Sequence, residues 1–262
     1  MNLNLDGKTA VVCGSSQGLG QAIAVELAEM GASIVLFARN AEKLEAVKQT
    51  LSTSNDQQHQ VLVADFDDPS QVNNVITEYV SNGGTANILI NNTGGPPPGP
   101  AHTAPIDEYR NAFNQHLINA QQILMALLPS MKASGYGRII NVISTSVKQP
   151  LVGLGVSNSI RGAVANWGKT LATELGPFGI TVNNVLPGAT NTTRLDAIFK
   201  GRAAKQGITP EQAAENEKLH IPAGRFAEAE EFAYAVAFLC SPSASYISGI
   251  NLPVDGGRTT CL

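Results

Sequence analysis

Thr9-Ala10-Val11-Val12-Cys13 runs directly into Gly14-Ser15-Ser16-Gln17-Gly18-Leu19-Gly20, and residues 21–30 then read as a helix. An uncharged, buried-type strand followed by a G-x-x-x-G-x-G turn and a helix start presents backbone N–H groups and a positive helix dipole to an anion. Glycine permits the sharp turn and lets the backbone approach a diphosphate closely. A glycine triplet can also be no more than a tight strand-to-helix turn, but this context points to a dinucleotide. Gly14, Ser16, Gln17, Gly18, Leu19 and Gly20 are therefore the first candidate cofactor-binding residues.

Working outward, short β-branched runs alternate with longer amphipathic stretches, the pattern of βαβ units. Strands are expected at 9–13, 33–37, 60–64, 87–90, 138–143, 180–186 and 250–254. Ile34-Val35-Leu36-Phe37 and Ile88-Leu89-Ile90 are apolar on consecutive residues, as strands are when helices cover both faces of a sheet. The expectation is an α/β fold of Rossmann type: one doubly wound, mostly parallel seven-stranded sheet in a single domain. The clearest helix lies at 158–175, where Val164, Trp167, Leu171 and Leu175 form an apolar stripe and Gly176-Pro177 supplies the stop. Trp167 is read as a packing residue. Residues 194–223 turn polar, with Thr209, Pro210 and Gln212 marking a capped helix start, and are expected to form a small substrate lid over the sheet.

The composition excludes other classes. Seventeen Lys plus Arg against 21 Asp plus Glu give a formal charge of −4 over 262 residues, without the basic patch that nucleic acid or an anionic membrane would require. No apolar run is long enough to cross a bilayer, and residues 1–7 lack the regions of a signal peptide, so a cytoplasmic location is expected. Cys13, Cys240 and Cys261 are odd in number and far apart, reading as reduced thiols. His59, His102, His116 and His220 lack zinc-ligand spacing, so no metal is expected.

The glycine turn, together with Asn91-Asn92-Thr93-Gly94, Pro187-Gly188 and Val254-Asp255-Gly256-Gly257, resembles the short-chain dehydrogenase/reductase family over nearly the whole chain. Gly137-Arg138-Ile139-Ile140-Asn141 and Ala172-Thr173-Glu174-Leu175-Gly176 are most similar to its 3-oxoacyl-acyl-carrier-protein reductase branch. The resemblance implies a nicotinamide coenzyme held additionally by Asp65, Phe66, Asn92, Thr93, Gly94, Pro187, Gly188 and Thr192. Asp65 also reads as an ordinary strand-end turn residue. At the end of the second strand, Phe37-Ala38-Arg39-Asn40 carries a guanidinium and no carboxylate. An acid there would bind ribose hydroxyls, whereas Arg39 suits a 2′-phosphate, so NADP(H) is preferred over NAD(H). The other reading of Arg39 is a solvated surface cation.

In the catalytic positions the chain departs from the family's Asn, Ser and Tyr-x-x-x-Lys. The resemblance places His116 at the Asn, Ser144 at the Ser, Ser157 at the Tyr and Arg161 at the Lys. An alkyl alcohol is a far weaker acid than a phenol and shorter, so Ser157 is no like-for-like proton donor. Arg161 retains the charge but does not exchange protons at neutral pH. His116 is the candidate proton source, since imidazole titrates near neutrality; a helix histidine bonded to backbone is the competing reading. The stiff segment Gly94-Gly95-Pro96-Pro97-Pro98-Gly99-Pro100 is expected either beside the nicotinamide, shaping the substrate entrance, or as a surface loop. Two functions follow: an NADP(H)-dependent oxidoreductase acting on a 3-oxoacyl thioester or related small carbonyl compound, or a catalytically degenerate nucleotide-binding protein. The resemblance further implies a homo-oligomer, tetramer or dimer, through helices around 107–133 and 158–175.

Overall fold

Seven parallel strands form one sheet, in the order β3-β2-β1-β4-β5-β6-β7. The structure, a computed structural model, describes residues 1–261. The strands are β1 Thr9–Cys13, β2 Ser33–Ala38, β3 Gln60–Val63, β4 Ile88–Asn91, β5 Gly137–Val142, β6 Ile180–Pro187 and β7 Asn251–Val254. Every expected strand is present, with ends displaced by a residue at most.

The consecutive apolar runs have the predicted cause. On one sheet face Ala10, Val12, Ile34, Leu36, Ile88 and Ile90 pack against helices α1 (Gly18–Glu29) and α9 (Ala229–Cys240). On the other face Val11, Val35, Leu89, Ile139 and Val182 pack against α3 (Pro69–Ser81), α5 (Asn119–Ser134) and α6 (Gly155–Leu175). Trp167 packs within this second layer and donates Nε1–H to Gln121 Oε1 at 3.0 Å, as its core reading requires. Helix α2 (Ala41–Lys48) follows β2, and α4 (Ile106–Phe113) passes through a wide π turn, Asn114–Ile118, into α5. The single helical pattern around 107–133 is thus three pieces.

Two helix starts differ from expectation. Helix α1 begins at Gly18 rather than residue 21, so the last two glycines of the turn form its first residues. Helix α6 begins at Gly155, where a Cβ would overlap the backbone of Ala101, and this places Ser157 inside the helix. The polar stretch forms α7 (Thr193–Gln206) and α8 (Pro210–Lys218), packed through Phe199, Ala203 and Ala213; α8 carries the expected Thr209–Gln212 capping box. Buried Glu217 pairs with Arg202 at 2.6 Å and with Arg258, tying this hairpin to the C-terminal segment.

An asparagine ladder crosses four strands behind the site. Asn91, Asn141, Asn184 and Asn251 are successive register partners. Asn91 Nδ2 donates to Asn141 Oδ1 at 2.9 Å, Asn141 Nδ2 to Asn184 Oδ1 at 2.9 Å, and Asn184 Nδ2 to Asn251 Oδ1 at 2.8 Å. Gly168 of α6 admits the ladder, since a Cβ there would stand 2.8 Å from both Asn141 Nδ2 and Asn184 Oδ1. Asn141→Ala strands one donor and one acceptor in the interior, each worth about 1–3 kcal/mol. The variant is expected to unfold in urea with about 2–4 kcal/mol less stability; a midpoint matching the parent would show that the ladder contributes nothing.

Candidate active site

The strand order reverses between β1 and β4, and the crevice beyond their carboxyl ends is where open α/β sheets bind ligands. The glycine turn leaves β1 there. Gly14 and Gly18 have φ of +62° and +59°, the left-handed region that favours glycine. A Cβ on Gly20 would overlap the Gly14 carbonyl and stand 2.8 Å from Asn92 Nδ2. Gly14 N–H donates to Phe37 O at 2.8 Å, while Asn92 Nδ2 donates to Cys13 O at 3.2 Å and Gly14 O at 3.3 Å. Asn92, proposed from the sequence as a coenzyme contact, thus has its amide engaged in bracing the turn. Ser15, which the sequence reading passed over, is fully buried and accepts from Phe37 N–H at 3.0 Å.

No side chain caps α1, so its first N–H groups stay available to an anion. Across the turn stands Thr192, whose Cγ2 would lie 3.6 Å from a Cβ on Gly18; Thr192 also caps α7. Pro187-Gly188 leads there, with Gly188 packed so closely on Asp255 that a Cβ would lie 2.5 Å from its Cα. Backbone room, free amides and a flanking hydroxyl fit a diphosphate. Beyond β2, Arg39 is 72% exposed and 3.9 Å from Asp65, and Lys43 Nζ donates to Gln17 Oε1 at 3.0 Å. Lys43 adds a second cation to this end, unnoticed in the sequence because it reads as an ordinary helix lysine. Phe66 stands edge-on to Phe37 at 5.1 Å between ring centroids, and its carbonyl accepts from Asn119 Nδ2 at 2.8 Å. It packs against the second core layer and lines the same small cavity as His116 and Arg161. Gly94 is exposed, with open space around its Cα.

The catalytic candidates gather at the ends of β4 and β5. Ser144 follows β5 and accepts Ser146 N–H at 3.1 Å. Arg161, one turn beyond Ser157 on α6, is only 7% exposed and donates Nη1–H to Val142 O at 2.8 Å; its Nε has no partner. Ser157 is half-buried. His116 lies in the π turn, 5% exposed, with Nδ1 2.6 Å from Thr93 Oγ1 and Nε2 unpartnered. His116, Thr93 and Arg161 line a cavity of about 10 Å³ with Cys13, Asn141 and Val164. Cys13 is an inert thiol, pushed by burial to about 12.

The electrostatics overturn one expectation. Burial first, then the charges of Arg161 and Arg194, hold His116 well below the usual imidazole value of 6.5. It is neutral at physiological pH and does not titrate near it. Its hydrogen bond goes to a threonine side chain rather than to backbone, so the competing reading also fails. Burial and Arg194 bring Arg161 down to about 10, still protonated at neutral pH. Arg194 itself is a residue the sequence reading missed. It lies in the first turn of α7, with its guanidinium against Gly95. A cation in the first turn opposes the helix dipole, and that misplacement was the available signal. The Gly-Pro segment is joined to the start of α6: Gly99 N–H donates to Gly153 O at 2.8 Å and Gly155 N–H to Gly99 O at 2.9 Å.

Known proteins share this architecture throughout. The family described as enoyl-(acyl carrier protein) reductase matches residues 14–259. The NADPH-dependent reductase BacG of Bacillus subtilis is 32% identical over 251 residues, 95% of this chain and 97% of its own. The 3-oxoacyl-acyl-carrier-protein reductase FabG of Pseudomonas aeruginosa is 32% identical over 257 residues, 97% and 98% of the two chains. The crystal structure of L-sorbose reductase from Gluconobacter frateurii, complexed with NADPH and L-sorbose, superposes with a TM-score of 0.93 at 33% identity over the whole of both chains. With the glycine turn at the switch point, the seven-stranded parallel sheet and these end-to-end matches, the chain belongs to the short-chain dehydrogenase/reductase family.

Proposed function

We propose that this protein is an NADP(H)-dependent reductase of a carbonyl compound, of the class that includes 3-oxoacyl thioesters, working with Ser144 and Arg161 but without the family's phenol and lysine. The observation that carries the reading is the uncapped start of α1 beside left-handed Gly14 and Gly18, at the carboxyl end of β1 where the strand order reverses. BacG is an NADPH-dependent reductase and the L-sorbose reductase structure holds NADPH, which favours turnover over a silent nucleotide binder. Gly14, Ser16, Gln17, Gly18, Leu19, Gly20 and Thr192 would receive the diphosphate, with Arg39 and Lys43 at the 2′-phosphate. Asp65, Thr93, Gly94, Pro187 and Gly188 complete the walls.

When bound, the reduced nicotinamide supplies a hydride to the substrate carbonyl carbon. Ser144 would hydrogen-bond the substrate oxygen through its hydroxyl, and Arg161 would stabilise the negative charge growing there. Anchoring to Val142 O fixes the guanidinium in advance, so little reorganisation is needed as charge develops. Neither Ser157 nor neutral His116 serves as an acid, so the proton comes from water. His116 instead positions Thr93 through their 2.6 Å bond. Omitting a tuned general acid forfeits roughly a hundred- to ten-thousandfold, so slow turnover is expected.

Single-turnover measurement of NADPH absorbance against a carbonyl panel that includes 3-oxoacyl thioesters tests the reading: a hydride-transfer phase is expected, and tight coenzyme binding with no oxidation anywhere in the panel would sink it. Arg39→Ala is expected to raise the Kd for NADPH about tenfold or more, with little change for NADH; equal losses for both coenzymes would remove Arg39 from the phosphate site. His116 makes a pH prediction. Its folded pKa lies below its unfolded one, so below about pH 6.5 the unfolded chain binds a proton that the folded protein refuses. Stability therefore falls as pH drops from there, by up to about 1.4 kcal/mol per pH unit. His116→Asn should flatten that part of the urea-stability profile, and an unchanged slope would place the titration elsewhere.

A further inference from the structure

Among the described residues, Nε2 of His116 and Nε of Arg161 are two buried nitrogens at the catalytic end of the sheet with no hydrogen-bond partner. The two residues are 5% and 7% exposed, and both line the cavity of about 10 Å³ together with Thr93. That volume holds one water at most. The guanidinium is fixed on this cavity by its Nη1–H bond to Val142 O at 2.8 Å.

A neutral imidazole carries its proton on one ring nitrogen and a lone pair on the other, and the neighbours decide which. Arginine Nε only donates. A proton on His116 Nε2 would turn two buried N–H groups toward one small space beside a fixed positive charge. A lone pair on Nε2 instead takes the Nε–H hydrogen, directly or through one water, and lies favourably in the guanidinium field. The proton therefore sits on Nδ1, which donates to Thr93 Oγ1 at 2.6 Å.

This polarity decides what the threonine can do. An oxygen that accepts from Nδ1–H keeps its own hydrogen for another partner, and among the described residues that partner is Gly94 O at 3.4 Å, too long for a firm bond. Thr93 is half-buried, at the crevice rather than in the core. It also neighbours Ser144 across the sheet. Asn91 and Asn141 are register partners on β4 and β5, and Thr93 and Ser144 lie two and three residues further along those chains, where neighbouring strands are about 5 Å apart.

Resting on the reductase reading above, we propose that Thr93 is a catalytic residue: its hydroxyl, turned outward by His116, donates a second hydrogen bond to the substrate carbonyl oxygen beside that of Ser144. His116 is then a positioning residue. Arg161 acts on the same oxygen twice, through its charge and by setting the polarity of the ring. Donors fixed before the hydride arrives strengthen as the oxygen gains charge, which is where a hydrogen bond lowers the barrier. No proton leaves Thr93, and the alkoxide takes its proton from water.

The test has two readouts. In protein labelled with [15N]histidine and loaded with NADP+, the His116 signals, identified by their loss in His116→Asn, are expected to show the Nδ1–H tautomer at neutral pH. A proton on Nε2 reverses the polarity and overturns the proposal. In single-turnover NADPH oxidation with a carbonyl compound that the parent reduces, Thr93→Val is expected to slow hydride transfer about tenfold or more. Thr93→Ser should recover to within about threefold of the parent, and both variants should bind NADPH within about threefold of it. An unchanged rate in Thr93→Val overturns the proposal and leaves the reductase reading standing. A loss of NADPH affinity that matches the loss of rate also overturns it, by assigning the hydroxyl to the coenzyme. A parent that transfers no hydride removes the reductase reading and the role of Thr93 with it, whichever tautomer is found.

Discussion

Asn92 reaches back from the end of β4 to the carbonyls of Cys13 and Gly14, and the rest of the site depends on that bridge. A parallel sheet ends in a row of loops with no hydrogen-bonding partners of their own, and where the strand order reverses the two central loops part to leave a crevice. The amide of Asn92 spans the crevice floor. It fixes the height of the glycine turn relative to Thr93, and through Thr93 the position of His116 in the π turn. The coenzyme cradle and the catalytic end are thereby set by one short chain of contacts.

Behind this bridge the asparagine ladder performs a related task in the sheet interior. Amides placed at successive register positions satisfy one another across four strands, and a one-residue slip of β5 or β6 would break two of the bonds at once. The ladder joins β4, whose end carries the Asn92 bridge, to β5, which carries Ser144, and to β6, which leads to Thr192. Polar groups in the core hold the three catalytic loops to one common level.

Charge sets the chemistry. A lysine at position 161 could be moved toward neutrality by the same burial; an arginine cannot, and at about 10 it remains a cation at neutral pH. Burial first, and then its fixed charge with that of Arg194, keeps the neighbouring imidazole neutral. Under the function proposed above, such a site would stabilise negative charge rather than deliver protons.

Much of this was legible from residue order. Strand positions follow from consecutive apolar runs that only a doubly covered sheet would bury, and the coenzyme end follows from glycines whose lack of a Cβ is a local property. The start of α6 was placed late because the need for glycine at 155 arises from Ala101, more than fifty residues away in sequence. His116 was misjudged for the same kind of reason: a pKa belongs to the surroundings, and the burial that dominates it becomes visible only when the π turn has carried the ring into the interior. Arg194 escaped notice because Gly95, which its guanidinium touches, lies far away in sequence. The sequence alone determined the sheet, its helical layers and the glycine cradle, since periodicity and backbone freedom are encoded within short segments. Tertiary structure decided which groups are charged, which are paired and which face the substrate, because desolvation and Coulomb interactions depend on distances between segments that the order of residues does not contain.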